Sequence, residues 1–283
     1  MTPRFARKGR IVLGMRWLLV VFVALVGLVA LMLPEIERSF IYFPSRELVA
    51  TPADVGLSYD DVRFQASDGT RLHGWFVDGE RDLALLWIPG NAGNISHCVE
   101  LLRRLHDELA VSILLFDYRG YGASEGRPSE RGTYLDAQAA LGALAEQPGV
   151  RRDRIVYFGQ SLGAANAVHL STRHRPLGLI LESPFTSIRA MAAVHYRFHP
   201  LRPFVRTRYD SLAKIGSVDA PLLVVHGERD EIAPAWMGRK LYEAAPGPKR
   251  LYIVPGAGHN DVQGVGGPGY DDVLRTFLDR LGA

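Results

Sequence analysis

Apolar positions along this chain follow three different rhythms. From Trp17 to Leu33 every residue is apolar or glycine, and Ile11 to Met15 extends the run beyond a single interruption at Arg16. About 17 residues at ~1.5 Å rise reach ~26 Å, close to the ~30 Å hydrocarbon core of a bilayer, and Arg16 can snorkel to the headgroups. The segment therefore predicts one membrane span over 11–33. Its bulky end, Leu31-Met32-Leu33-Pro34, lacks the small-x-small site of a cleaved signal peptide, which favours an uncleaved anchor. A second rhythm, alternation, runs through Tyr59–Phe64 and Leu72–Val77 around Ser67-Asp68-Gly69-Thr70 and predicts a β-hairpin.

The third rhythm fills the remainder, where short continuous apolar runs alternate with helical stretches. Strands are expected at Leu83–Ile88, Val111–Phe116, Ile155–Phe158, Leu177–Leu181, Leu222–Val225 and Leu251–Val254. Helices are expected at Ile95–Leu109, Thr133–Ala145, in the stretch after Ser161, at Met237–Ala244 and at Tyr270–Leu281. Strands apolar on both faces and separated by helices predict a mostly parallel sheet covered on both sides. Phe40 to Pro44 reads equally as an interfacial aromatic junction or as a packed strand. The organisation expected is a basic tail (1–10), the anchor (11–33) and one large α/β domain (34–283).

Charge refines this picture. Arg4, Arg7, Lys8, Arg10 and Arg16 precede the apolar run with no acid among them, so removing these five from the net charge of +3 leaves the rest at −2. The basic character belongs to the tail, and no nucleic-acid partner is expected. The same asymmetry predicts a cytoplasmic N-terminus and places the domain that follows on the outer side, whether periplasmic, extracellular or lumenal. Cys98 is the only cysteine, which excludes an internal disulfide and a cysteine-rich metal site. On helix rather than in a sharp turn, it reads as a small hydrophobe.

In an open parallel sheet, ligands bind beyond the carboxyl ends of the strands. Gly159-Gln160-Ser161-Leu162-Gly163 follows one such strand and precedes a helix, an order that lifts the serine out of the sheet. The pentapeptide means little without its context. A serine nucleophile needs a base and a carboxylate to orient that base. His259 lies in a glycine loop after the last strand, and Asp230 follows the strand before it, so the order is serine, acid, histidine. Glu182, Glu228 and Glu231 compete with Asp230, whose place deep in its loop favours it. His226 comes too early in the order to be the base and reads as packing. Pro89-Gly90-Asn91-Ala92-Gly93-Asn94 can turn backbone N–H groups toward a developing oxyanion. In Asp117-Tyr118-Arg119-Gly120-Tyr121-Gly122 the charges are expected to structure a loop and Tyr118 to line a pocket.

Together G-Q-S-L-G, P-G-N-A-G-N, D-Y-R-G-Y-G-A-S, E-S-P-F-T-S, H-G-E-R-D and G-A-G-H-N-D resemble the α/β-hydrolase superfamily. The resemblance covers Phe40 to the C-terminus and is nearest to the membrane-anchored branch of Bem46-like proteins and relatives of the serine aminopeptidases. It implies an α/β-hydrolase fold with a mostly parallel central sheet flanked by helices, a short cap and an N-terminal transmembrane helix. It implies Ser161 as nucleophile, His259 as base and Asp230 as orienting acid. The backbone N–H groups of Leu162 and Asn91 would form the oxyanion hole, with Ala92 a second candidate in the loop. Pro89 departs from the histidine common in related sequences. No metal or organic cofactor is implied.

The cap is expected at 188–214, where Arg189, Arg197, Arg202, Arg206 and Arg208 mingle with Tyr196, Phe198, Phe204 and Tyr209. That mixture suits either a membrane-facing or anionic-substrate surface or a solvated lid. The functional expectation is a membrane-tethered serine hydrolase of esters or thioesters, with a lipid or fatty-acyl substrate. Its rivals are a peptidase on the same triad and a non-catalytic tethered scaffold. Enzymes of this fold that use a carboxylate nucleophile are disfavoured by the serine at 161.

Overall fold

A computed structural model describes residues 31–196 and 205–282, with Val21, Ala24 and Gly27 before them. It divides into two compact units, Met1–Ile41 and Tyr42–Ala283. In the first, residues 31–41 form helix α1, which runs through Pro34 rather than stopping there. Most of the expected span 11–33 lies outside the described residues. Among those described, no helix is long and apolar enough to cross a membrane.

The second unit is built on an eight-stranded sheet in the order β10-β9-β8-β7-β4-β6-β3-β2. Its strands are β2 (Asp60–Gln65), β3 (Arg71–Val77), β4 (Arg81–Ile88), β6 (Val111–Asp117), β7 (Ile155–Gln160), β8 (Gly178–Glu182), β9 (Leu222–Gly227) and β10 (Lys249–Val254). β2 and β3 form the expected hairpin, with Val62 opposite Gly74, and β3 joins β6 antiparallel. All other pairs are parallel, as continuous apolar strands require. A separate two-stranded parallel ribbon joins β1 (Phe43–Pro44) to β5 (Ala92–Gly93). The sequence leaves β1 between two readings and predicts β5 as plain loop.

Side chains alternate across the sheet, so two layers can be read from parity. Leu83, Leu85 and Trp87 of β4, Val111, Ile113 and Leu115 of β6, and Val156 and Phe158 of β7 share a cluster with helices α2 (Val99–Leu109) and α8 (Val262–Gly282). On the other layer, α3 (Glu130–Ala145) packs on α4 (Leu162–Ser171), α4 on α6 (Ser211–Ile215), and α6 on α7 (Trp236–Ala244). α5 (Ile188–His195) precedes 197–204, which lies outside the described residues with Arg197, Phe198, Arg202 and Phe204 of the expected cap.

Two expected helices differ most in extent. The stretch from Ile95 opens as a 3-10 turn, Ile95–Cys98, capped by the Asn94 side chain on Ser96 N, and becomes α-helical only at Val99. Helix α8 starts eight residues early and is kinked at Gly267-Pro268, where Gly267 has φ 50°. The apolar period was read only beyond that kink.

The loop after β6 is held by charge, as expected. Arg119 is buried and bonds Asp136 of α3 and Asp68 of the hairpin turn, with nitrogen–oxygen distances of 2.8 and 2.7 Å. This clamp ties the antiparallel edge to the helical layer. Because removing one partner strands a buried charge, Arg119→Ala is expected to cost about 3–5 kcal/mol, read as a lowered denaturation midpoint of the purified protein.

Candidate active site

Ser161 sits at φ 50°, ψ −110°, between β7 and α4. A non-glycine residue takes positive φ at a cost, and such strain persists only where its surroundings enforce it. Here the enforcement is close packing on either side. A Cβ on Gly163 would lie 1.9 Å from Ile88 O, and one on Gly159 would lie 2.5 Å from Gly163 O. Only glycine lets the first turn of α4 press against the end of β4 and the strand it leaves. Ser161 N donates to Glu182 O at 2.9 Å and Ala164 N to Ser161 O at 3.0 Å, which fixes both ends of the turn.

The expected partners arrive at this serine. His259 Nε2 is 2.9 Å from Ser161 Oγ, and His259 Nδ1 is 2.7 Å from Asp230 Oδ2. The loops after β9 and β10 are bound to each other. Glu228 N donates to Val254 O and Arg229 N to Ala257 O, while Gly227 leaves no room for a Cβ, which would lie 2.0 Å from Gly258 O. Ser183 Oγ donates to His259 O at 3.2 Å.

Asp230 is saturated with donors. Its Oδ1 accepts from Ile232 N at 2.9 Å and Ala233 N at 2.7 Å. Its Oδ2 accepts from His259 and also from His226 Nε2, 3.1 Å away. Burial by itself would raise the Asp230 pKa. The hydrogen bonds from His226 and His259, the nearby His259 charge and the Ala233 N–H outweigh it and hold the carboxyl well below the usual range.

His226 is therefore more than the packing residue expected from its position. It is fully buried, and its Nε2 also lies 2.6 Å from Ala233 O. Two acceptors at Nε2 require the proton there, while Nδ1, buried without a partner, backs onto Gly238. Through that N–H the ring reaches the same Asp230 Oδ2 that accepts from His259.

The competing carboxylates are engaged elsewhere. Glu182 is buried, and its oxygens accept from Gln160 Nε2, Gln263 Nε2 and Tyr270 OH, so burial raises its pKa while these donors counter it. Gln160 also accepts from Trp87 Nε1, which makes its side chain the strut beneath the turn. Glu228 accepts from Gly256 N at 3.0 Å. Glu231 is exposed. Burial pushes the Cys98 thiol up to about 12, which fits a packed hydrophobe.

Leu162 is the first residue of α4, and Asn91 and Ala92 lie in the loop whose Gly90 passes beside Ser161. A Cβ on Gly90 would be 3.9 Å from that of Ser161. This loop is anchored throughout. Phe43 N donates to Asn91 O and Ser45 N to Gly93 O, both at 2.9 Å, so β1 straps it down. Tyr121 OH donates to Asn91 O at 2.7 Å. Tyr118 does not line an open pocket. It is buried, donates to Pro89 O at 2.9 Å and accepts from Asn166 Nδ2. Among the described residues, no group of three or more His, Cys, Asp or Glu side chains could hold a metal ion.

Several known proteins are similar to this chain. The family model described as "Serine aminopeptidase, S33" matches residues 79–210. The chain is 45% identical to the protein Rv2307c of Mycobacterium tuberculosis, over 90% of this chain and 93% of that one. It is 33% identical to the membrane protein YNL320W of Saccharomyces cerevisiae, over 90% and 95% of the two chains. It is 32% identical to the protein bem46 of Schizosaccharomyces pombe, over 89% of each. Among solved structures, the Pyrococcus furiosus esterase Pf2001 superposes with a TM-score of 0.72, covering 84% of this chain and 98% of that one at 22% identity, which is a likeness of fold.

The second histidine yields a prediction. A hydrogen bond to a charged group contributes about 1.5–3 kcal/mol. His226→Phe, which keeps a ring and removes the donor, should lower kcat by about 10- to 100-fold with KM little changed. A variant with full turnover would remove His226 from the site.

Proposed function

Because the chain belongs to the α/β-hydrolase superfamily, in its Bem46-like branch, we propose that it is a serine hydrolase that cleaves carboxylic esters or thioesters through an acyl-enzyme. The observation that carries this reading is the unbroken hydrogen-bonded chain from Ser161 Oγ through both nitrogens of His259 to Asp230 Oδ2. In this reaction His259 Nε2 takes the Ser161 hydroxyl proton as Oγ attacks the substrate carbonyl. Asp230 holds the ring so that Nε2 faces the serine, and it stabilises the imidazolium that forms. The N–H of Leu162, with that of Asn91 or Ala92, receives the oxyanion. Collapse of the tetrahedral species expels the alcohol or thiol, which leaves with the proton from His259. Water, deprotonated by the same nitrogen, then releases the acid and restores Ser161.

A tether beside a bilayer supports a lipid or fatty-acyl substrate. The support for the tether is the apolar segment Trp17–Leu33 with its five preceding positive charges, together with a relative of similar length that is named a membrane protein. The catalytic domain is accordingly assigned to the outer side of that membrane. Amide hydrolysis is the second reading, favoured by the serine aminopeptidase description of the matching family. The filled hydrogen-bond chain speaks against a non-catalytic scaffold.

Ser161→Ala is expected to lower turnover by about 10⁴-fold or more on a panel of p-nitrophenyl esters, acyl thioesters, lysophospholipids and aminoacyl amides. Esters and thioesters should be preferred in the unsubstituted protein, and a preference for the amides would favour the peptidase. Loss of less than tenfold would discard Ser161 as nucleophile. For topology, a reporter fused after Ala283 should be active only outside the cytoplasm, and cytoplasmic activity would reverse the orientation.

A further inference from the structure

Away from the triad, a groove of about 560 Å³ opens between α3, the end of α4 and the segment leading into α6. Arg131, Arg173 and Arg206 line it, together with Glu130, Tyr134 and His169. All three arginines are exposed, and neither Arg131 nor Arg173 has an ion-pair partner among the described residues. Lys214 adds a fourth cation, lying 4.6 Å from the Tyr134 ring centroid and donating to its hydroxyl at 2.8 Å. The acids nearby are already engaged. Glu130 accepts from Arg208 N, Tyr209 N and Tyr134 OH, and Asp210 caps α6 by accepting from Ala213 N. Positive charge gathers here although the chain beyond its basic tail is net negative.

His169 reports the same field. Its ring stacks on Tyr134 with centroids 3.6 Å apart. Burial, then Lys214 and Arg173, push its pKa down to about 4. Nδ1 is buried with no partner, and a buried unpaired acceptor is easier to tolerate than a buried unpaired donor. The proton therefore sits on Nε2, the polar atom left to face the groove. Guanidinium groups, each a planar fork of donors, suit an anion with several oxygens better than a single-point charge.

We propose that this groove is a binding site for a phosphate group, held by Arg131 and Arg173 with His169 Nε2–H as an additional donor. It lies eight residues along α4 from Ser161, about 12 Å by helical rise, so the bound group does not touch the reacting atoms. The site is peripheral to the chemistry and does not depend on the hydrolase reading. The phosphate could be carried by a lipid headgroup or be free in solution.

The test uses the full chain in non-ionic detergent, titrated calorimetrically with inorganic phosphate and with soluble dihexanoyl phosphatidic acid at constant ionic strength in chloride. Saturable binding is expected, weakened at least about tenfold in the double variant Arg131→Gln, Arg173→Gln. Tighter binding of the lipid than of inorganic phosphate would identify a headgroup site. Equal affinities would identify a site for phosphate itself. Absence of saturable binding by both probes, or binding unchanged in a double variant that retains its thermal unfolding midpoint, would overturn the proposal. Should that variant fail to fold, the unsubstituted protein decides. Phosphate, unlike chloride, should raise the His169 ring titration midpoint seen by NMR, because a neighbouring anion favours the imidazolium. An unmoved midpoint would likewise overturn it.

Discussion

Helix α4 is pressed so closely against the end of β4 that position 163 has no space for a side chain, and much of the site depends on that contact. With the first turn of α4 held at Ile88 O, the chain leaving β7 must reverse within one residue, and Ser161 takes the positive φ that results. The serine then stands beyond the carboxyl end of β7, where the loops after β9 and β10 can reach it. Beneath it the Trp87–Gln160–Glu182–Tyr270 network supports the turn from the sheet and from α8. Rigid elements thus fix a hydroxyl that a loop alone would leave loose.

The second dependency is electrostatic. A buried carboxylate is stable only if hydrogen bonds replace its water, and Asp230 receives N–H groups from His226, Ile232, Ala233 and His259. His226 and the curl of 230–233 form one unit, because the histidine that donates to the acid is also bound to Ala233 O. The same donors favour the ionised carboxylate and fix its Oδ2 toward His259.

Most of the sheet and the three central residues were legible in the chain. The central strands β4, β6, β7, β8 and β9 are largely buried on both faces and so appear as continuous apolar runs, and Ser161, Asp230 and His259 each follow an apolar run in a recognisable turn. The rest was hidden for identifiable reasons. His226 lies inside a buried strand, where its polar role depends on a fold-back of four residues that has no local signature. The strap β1 is two residues long and pairs with a loop some fifty positions away, beyond the reach of periodicity. Tyr118 looked like a pocket residue because its hydroxyl partner, Pro89 O, comes from another strand's end. The glycines at 267 and 269 beside Pro268 obscured the first turns of α8. The proposed anchor remains a reading of composition, charge and a relative's name, since most of it lies outside the described residues.

The central claim is chemical: among all the hydroxyls and the one thiol of this chain, Ser161 alone is activated. Treating the full-length protein with a fluorophosphonate, digesting it and mapping the adduct by mass spectrometry addresses that directly. The account predicts a single adduct, on Ser161, approaching one per chain. An adduct on another residue, or none in a preparation that turns over esters, would contradict it.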